Sequence, residues 1–401
     1  MGRDLAEMTS TGGSLTIAMV AACPFPLARG TPIRIERMAE ALAHRGHVVD
    51  IFTYHFGSER PNGGYQVIRI AGIPGYRRER PGPSLTKLAL LDPQLALKLL
   101  RGARAKRYDV IHAHHVEGLL AAQPAARLCG IPTIYDVHTL LQSELPYYGN
   151  WMPNRLISRI GRRIDRFLPR LADHVITVSE ALQSEILDGG THLPQSVSLI
   201  PNGVEEEMFA ARPVGAAKTP SMRLAYAGNL AEYQGFDLLL HAFSAARATR
   251  QDLRLHVMTE DPLNGYEQLA RKLGVHDAID LTSVALKDLP TELAACDVAI
   301  NPRIDCAGLP QKLLNYMAAG CPIVSFAGSA KHIIHESSAL IVEDRNIGAM
   351  AGAMLRLIDD RPLANRLGQS AQDYARAELS WQRVAERVET AYHHILRAKP
   401  A

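Results

Sequence analysis

The chain has 401 residues, of which 47% are hydrophobic and 21% are charged, and its formal net charge is +3. This composition is typical of a soluble globular protein with room for two domains. No apolar run reaches the roughly 18 residues that a membrane-spanning helix needs, so no such helix is expected. Residues 1–14 are polar and lack the apolar core of a secretion signal, and we predict a loose leader there.

The five cysteines are scattered, odd in number and without metal-ligand spacing. They favour a reducing, cytoplasmic location, and no motif in the sequence indicates a metal. The first 204 residues carry more Lys and Arg than Asp and Glu, whereas the remaining residues carry fewer. This asymmetry predicts two domains with different partners.

Basic residues concentrate in two segments, one from Arg77 to Arg107 and one from Arg155 to Arg170. In the second segment apolar residues recur at helical spacing, namely at Ile157, Ile160, Ile164, Phe167 and Leu171. This stripe predicts a buried face, with the arginines on the opposite side of the helix. The two basic segments, Arg77 to Arg107 and Arg155 to Arg170, are either solvated or touch an anionic membrane at the inner side of the cell or a phosphorylated acceptor. Nucleic acid is not an expected partner, because no binding motif accompanies the charge.

Strand and helix patterns alternate along nearly the whole chain, which predicts parallel sheets with helices on both faces. The first strand is expected at 15–22 and the first helix at 33–44. The loop between them contains Gly30 but not the G-x-G-x-x-G fingerprint of a nicotinamide-binding enzyme. Gly30 has no Cβ, so a phosphate could come close to its backbone.

Further motifs in the first half follow predicted strands. The strand D-V-I-H-A-H contains His112, which we interpret as a core histidine, and a later strand ends just before His138. An aromatic loop with Gly and Pro is expected at 140–152. The segment A-D-H-V-I-T-V-S is followed, after one helix, by I-P-N-G-V, where Asn202 and Gly203 suit a tight turn with positive φ.

The second half repeats the strand, loop and helix pattern. A strand R-L-A-Y-A leads into a loop bounded by Gly228 and Gly235, and a helix follows. A short apolar strand at 298–301 leads through a second loop to a helix that begins near Pro310 and ends at Gly320. Free amide groups at such a helix start bind anions, and Lys312 in the first turn adds a positive charge.

The order and spacing of these motifs resemble the retaining GT-B glycosyltransferases of the family 4 and group 1 type, over roughly residues 15–395. The resemblance implies two Rossmann-like, doubly wound parallel-sheet domains with an interdomain cleft. The implied segments are an acceptor domain at 15–204, a linker at 205–222, a donor domain at 223–379 and a helix at 380–401 that crosses back to the first domain.

The resemblance also implies a reaction and roles for individual residues. A hexose-type sugar would pass from a UDP or GDP sugar to an acceptor hydroxyl of a glycan, glycolipid or secondary metabolite, with retained configuration and without metal or cofactor. His138 would bond the transferred sugar, Lys312 would stabilise the leaving diphosphate, and Ser283 and Val284 would border the base. The implied donor-binding residues are Gly30, Asn202, Gly228, Asn229, Gln234, Gly235, Arg303, Gly308, Leu309, Pro310 and Asn315.

The sequence departs from the family pattern at four positions. Two acidic residues of the family fall here on Ala307 and Asn315, and two basic residues fall on Asn229 and Gln234. Lys312, Arg303 and the helix start near Gly235 would then have to neutralise the phosphates. A non-catalytic GT-B protein that binds a nucleotide or glycan, and a GT-B nucleotide-sugar epimerase, remain alternatives.

Overall fold

A computed structural model of the chain describes residues 13–27, 30–58, 63–76, 86–148, 154–190, 193–209, 221–285, 287–306 and 308–398. The chain divides into two compact units. The first unit comprises residues up to Pro201 together with those from Val384 onward, and the second unit runs from Asn202 to Arg383. Most of the predicted leader, much of the predicted linker and Ala307 lie outside the described residues.

The first unit is built on a seven-stranded parallel sheet with the strand order β3-β2-β1-β4-β5-β6-β7. Its strands are β1 (Thr16–Ala21), β2 (Val48–Thr53), β3 (Gln66–Arg69), β4 (Val110–His114), β5 (Thr133–Val137), β6 (His174–Thr177) and β7 (Val197–Leu199). The helices between them are α1 (Gly30–His44), α2 (Asp92–Ala105), α3 (His115–Cys129), α4 (Leu141–Tyr148), α5 (Asn154–Phe167) and α6 (Glu180–Asp188).

The second unit is built on a six-stranded parallel sheet with the order β10-β9-β8-β11-β12-β13. Its strands are β8 (Met222–Ala227), β9 (Leu253–Met258), β10 (Ile279–Thr282), β11 (Val298–Asn301), β12 (Ile323–Phe326) and β13 (Leu340–Val342). The helices are α7 (Phe236–Thr249), α8 (Glu267–Lys272), α9 (Leu289–Ala294), α10 (Gln311–Ala318), α11 (Ile347–Asp359) and α12 (Arg361–Glu378), and α13 (Trp381–Ala398) ends the described chain.

Local sequence explains where several helices begin and end. Asn346 accepts a hydrogen bond from the amide of Ala349 and caps α11, and Asp360 caps α12 in the same way. Gly130 ends α3 with φ 68°, a conformation that glycine adopts without strain. The strands of both sheets are short and largely buried, as in sheets covered by helices on both faces. The predicted pair of parallel-sheet α/β domains is confirmed.

The strand order reverses once in each sheet. In the first unit the reversal lies between β1 and β4, and in the second unit between β8 and β11. Neighbouring loops leave the sheet in opposite directions at such a point, so a crevice opens at the carboxyl ends of the strands. These two places are where a ligand site is expected in each unit.

Three local predictions are wrong. Residues 141–148 form α4 and not a loop. Neither Asn202 nor Gly203 has positive φ; Gly203 is glycine for another reason, since a Cβ there would lie 2.6 Å from the Trp381 indole. In α5, Ile160 and Phe167 are exposed instead of buried. Of the basic segment from Arg77 to Arg107, residues 77–85 lie outside the described residues. Within the part of the chain that is described, no helix combines the length and apolarity needed to cross a membrane.

Candidate functional site

A cavity of about 580 Å³ opens at the strand reversal of the second unit. Its walls come from the residues that follow β8, β9, β10 and β11 and from the first turn of α10. The lining residues are Ala227, Gly228, Asn229, Gln234, Met258, Thr259, Glu260, Asp261, Val284, Leu289, Arg303, Pro310, Gln311, Lys312 and Asn315. The cavity therefore lies where parallel α/β sheets bind their ligands.

Lys312 is the most unusual group in this cavity. Its side chain is only 7% exposed, and its ammonium nitrogen has no hydrogen-bond partner among the described residues. The nitrogen lies 4.1 Å from the centroid of the Tyr226 ring, and it would lie 3.5 Å from a Cβ built on Gly228. Burial, and secondly the charge of Arg303, lower the pKa of Lys312 to about 7. A buried ammonium without an anion is costly, so the site is suited to a ligand that brings negative charge.

Arg303 is the second cation of the cavity wall. Its guanidinium lies 4.9 Å from the centroid of the Tyr233 ring, and its Nε donates a hydrogen bond to the carbonyl of Asp305. These contacts orient the guanidinium without neutralising its charge. Two positively charged side chains, Lys312 and Arg303, therefore line the same cavity.

The loop between Gly228 and Gly235 is held by its own polar side chains. Asn229 Oδ1 accepts hydrogen bonds from the amide of Ala231, at 3.2 Å, and from Gln234 Nε2, at 3.3 Å. Gly235 adopts φ 70° at the start of α7, and a Cβ there would lie 2.3 Å from the carbonyl oxygen of Pro302. The side-chain amides of Asn229 and Gln234, which stand where the family has basic residues, thus stabilise the conformation of the loop.

Two acidic residues of the wall were not predicted from the sequence. Glu260 and Asp261 follow β9; Glu260 is exposed, and Asp261 accepts a hydrogen bond from the amide of Leu230 at 2.7 Å. The sequence contained a usable signal, because Leu253–Met258 is a largely apolar run typical of a strand and residues after a parallel strand lie at the ligand edge. Met258, Val284 and Leu289 supply an apolar part of the same wall.

The other predicted site residues are distributed as follows. Four predicted residues do not line the cavity, namely Gly235, Ser283, Gly308 and Leu309. Gly235 and Ser283 are next in sequence to residues that do, and Gly308 and Leu309 come shortly before α10. Asn202 is the first residue of the second unit. Gly30 and His138 belong to the first unit.

In the first unit, His138 follows β5 beside the strand reversal. Its ring lies 4.5 Å from the ring of His115, the first residue of α3, which has the uncommon φ of 59°. His115 Nε2 is 2.8 Å from the hydroxyl of Thr31, next to Gly30 at the start of α1. Gly30 and His138 are therefore linked through Thr31 and His115 at the carboxyl ends of β1, β4 and β5.

Beneath His138 lies a buried cluster, the Asp136 cluster, centred on that carboxylate. Asp136 Oδ2 is 3.0 Å from Arg34 Nε, 3.3 Å from His114 Nδ1, 3.5 Å from His112 Nε2 and 3.5 Å from His138 Nε2. Arg34 also donates hydrogen bonds to the carbonyls of Ile200 and Pro201. His112 Nδ1 lies 2.7 Å from the Tyr392 hydroxyl, and the residue is completely buried. Both facts agree with the prediction of a core histidine.

Charges in the Asp136 cluster follow from burial and from Arg34. Burial alone would raise the pKa of Asp136, but the charge of Arg34 and the surrounding imidazoles hold it well below its usual value. Burial lowers the pKa of His138 to about 4, although Asp136 opposes this shift. Asp136 is thus ionised at neutral pH, while His138 is a neutral imidazole that can donate or accept a hydrogen bond.

His112, His114 and Asp136 also have the geometry of a possible metal site, since their ligand atoms lie within 4.8 Å of one another. The donor set does not favour an ion, however. Arg34 already donates hydrogen bonds to both oxygens of Asp136. A divalent cation bound there would be repelled by the buried guanidinium charge. A site without metal remains our prediction.

Comparison with known proteins agrees with the motifs in both halves of the chain. Residues 28–208 match the model of Glycosyltransferase Family 4, and residues 221–360 match the model of Glycosyl transferases group 1. A mannosyltransferase of Mycolicibacterium hassiacum, named MMP alpha-(1->4)-mannosyltransferase, is 26% identical, with 90% of this chain and 94% of that protein covered. A D-inositol 3-phosphate glycosyltransferase of Stackebrandtia nassauensis is 28% identical, with 95% and 91% covered.

Solved structures with similar folds are also glycosyltransferases. The sucrose-phosphate synthase of Thermosynechococcus elongatus superposes with a TM-score of 0.73 at 18% identity, over 96% of this chain and 100% of that one. The Anabaena protein HepE in complex with UDP and glucose superposes with a TM-score of 0.68 at 16% identity, over 94% and 99%. The chain therefore belongs to the family 4 and group 1 glycosyltransferases and has the GT-B fold.

Proposed function

We propose that this glycosyltransferase transfers a hexose-type sugar from a UDP or GDP sugar to an acceptor hydroxyl, with retention of configuration. The observation that supports the donor class most directly is the buried ammonium of Lys312, which has no hydrogen-bond partner among the described residues of the cavity wall. A nucleoside diphosphate brings two negative charges to this ammonium and to Arg303. The mannosyltransferase relative and the HepE complex with UDP and glucose support the same class of donor.

The proposed catalysis is electrostatic. As the bond between sugar and diphosphate breaks, negative charge grows on the leaving phosphate, and Lys312, Arg303 and the first amides of α10 stabilise it. The apolar wall of Met258, Val284 and Leu289 suits the base, and Asn315 takes the position where the family has an acid. His138, as a neutral imidazole, donates or accepts a hydrogen bond with a hydroxyl of the transferred sugar.

Nucleotide binding tests the donor class. We expect UDP or GDP to raise the melting temperature of the purified chain and to bind in calorimetry, whereas NADH does not. Lys312→Ala should weaken nucleotide binding about tenfold or more, the scale of one charge-assisted contact. Lys331→Ala, which removes an exposed lysine of the same unit, is the matched control and should bind normally. Stabilisation by NADH alone, or an unchanged affinity in Lys312→Ala, would contradict the proposal.

Catalysis is tested separately from binding, because the family's acids are absent at Ala307 and Asn315. The nucleotide released from UDP-glucose and GDP-mannose is measured with candidate hydroxyl acceptors, and the anomeric configuration of the product is read by NMR. Nucleotide binding without release in any mixture would favour the non-catalytic alternative. Conversion of the donor sugar without release would favour the epimerase alternative.

A further inference from the structure

Helix α5 of the first unit presents large apolar side chains to solvent. Leu156 is 42% exposed, Ile160 41% and Phe167 54%. Their spacing, four and seven residues apart, puts all three on one stripe along the helix. A soluble helix normally turns such a stripe toward the core. Here the side chain of Ile157 fills that role instead, as it is only 4% exposed.

A stripe of arginines runs beside the apolar one. Arg159, Arg163 and Arg166 are exposed on α5, and Arg170 is exposed just after its end. The spacing of these arginines is four, three and four residues. On a helix this spacing puts their guanidinium groups along one side of the apolar stripe. The exposed face thus combines apolar side chains with a dense positive charge.

The helix is firmly attached on its inner side. Asp165 is buried and accepts hydrogen bonds from the amides of Leu141 and Gln142, at 3.0 and 2.9 Å. Gly161 lets α4 approach closely, since a Cβ there would lie 2.6 Å from the amide nitrogen of Gln142. The carboxylate of Asp165 therefore fastens α5 to the start of α4.

An acidic side chain of α6 lies at one edge of this face. Glu185 of α6 is exposed and bonds the side-chain amide of Gln142 at 2.8 Å, and Gln142 in turn accepts from Arg162 at 3.0 Å. Asp188 of α6 is exposed as well. Glu185 lies in one surface pocket with Arg162 and Arg166. By helical spacing, Arg162 is on a different side of α5 from Leu156 and Ile160.

We propose that this face of α5, formed by Leu156, Ile160, Phe167 and the arginine stripe, binds the surface of an anionic lipid bilayer. The apolar side chains enter the boundary between head groups and acyl chains, and the guanidinium groups bind lipid phosphates. Charge complementarity selects this occupant, because a neutral apolar partner leaves the arginines unpaired. The inference goes beyond the proposed donor chemistry, which belongs to the second unit.

Co-sedimentation with vesicles tests the proposal. The full chain is mixed with vesicles of phosphatidylcholine alone, or of phosphatidylcholine with about one third phosphatidylglycerol. We expect binding to the anionic vesicles only, and weaker binding at high salt. Arg159→Gln/Arg163→Gln should lower the partition coefficient about 25-fold, at about fivefold per arginine near a charged surface. Ile160→Ser/Phe167→Ser should lower it about tenfold or more.

The controls separate lipid binding from misfolding. Ile334→Ser/Arg271→Gln exchanges an exposed isoleucine and an exposed arginine of the second unit and should leave vesicle binding unchanged. All variants should keep their circular dichroism and nucleotide affinity, so the outcome is independent of the proposed function. The proposal is overturned if the parent chain ignores anionic vesicles or if both α5 double variants bind like the parent. Loss of a dimer in Ile160→Ser/Phe167→Ser, without vesicle binding by the parent, would assign the face to a second copy.

Discussion

The ammonium of Lys312 lies over the ring of Tyr226, 4.1 Å from its centroid. The ring gives the cation a favourable but weak contact, and this contact replaces the hydrogen bonds that an exposed lysine makes with water. The charged form of Lys312 is therefore destabilised in the ligand-free protein. This state has consequences for stability and for pH dependence that can be measured.

Lys312→Met should stabilise the protein in the absence of ligand. The substitution keeps the length of the apolar stem and removes a buried charge that no anion compensates. We expect the free energy of unfolding at pH 7 to rise by about 1–3 kcal/mol, measured by urea denaturation. The same variant should lose its stabilisation by UDP. A variant less stable than the parent would show that the ammonium is compensated in the free protein.

The affinity for a nucleotide sugar should fall as pH rises above 7. In the free protein the pKa of Lys312 is about 7, against an ordinary value of 10.5. Bound diphosphate favours the charged form and raises this pKa, so binding above pH 7 takes up a proton. We expect up to a tenfold loss of affinity per pH unit between about 7 and 9.

Calorimetry with UDP-glucose is a suitable measurement of this pH effect, because its diphosphate does not titrate in that range. The contribution of Lys312 to the free energy of unfolding of the ligand-free protein should change in the opposite direction. Between pH 7 and 10.5 the unfolded chain holds a proton that the native state lacks, so the contribution of Lys312 to stability rises with pH. The pH-dependent loss of affinity should vanish in Lys312→Met. The contribution of Lys312 to stability is the difference between the parent and Lys312→Met, because the Cys23 and Cys296 thiols, whose pKa values burial raises to about 12, titrate in the same range. A difference that does not rise with pH would contradict the lowered pKa of Lys312.

Asp136→Asn should strongly destabilise the first unit. The substitution removes the carboxylate charge that pairs with Arg34, which is 2% exposed, and that lies among the buried histidines. We expect a loss of about 3–5 kcal/mol in the free energy of unfolding, measured with urea. Asp280→Asn breaks the more exposed pair with Arg254 and should cost less than about 1 kcal/mol. Equal losses in the two variants would contradict the importance that we give to burial.

Two glycines should respond differently to alanine. Gly235→Ala places a Cβ 2.3 Å from the Pro302 carbonyl oxygen at φ 70°, and we expect a loss of about 2–4 kcal/mol. Gly30→Ala meets no atom within 4 Å and should change stability by less than about 1 kcal/mol. If a substrate approaches the backbone of Gly30, as the sequence predicts, Gly30→Ala should still reduce transfer activity severalfold. Full activity in a stable Gly30→Ala variant would remove Gly30 from the site.

The sequence by itself determined the succession of strands and helices and the position of Lys312 in the first turn of α10. These features depend on local patterns, namely apolar runs for strands such as Leu253–Met258, helical periodicity, and caps such as Asn346. Several of the residues singled out in the sequence therefore line one cavity, since they follow neighbouring strands of one parallel sheet.

Only the tertiary structure decided which distant residues meet. Arg34 pairs with Asp136 across 102 positions, and Glu260 and Asp261 join the cavity of Lys312 because β9 lies beside β8 in the sheet. The exposure of Ile160 and Phe167 likewise depends on how α5 packs on α4 and the sheet. Strand order and packing arise from contacts between residues far apart in the chain. A local sequence pattern does not predict which distant residues make these contacts.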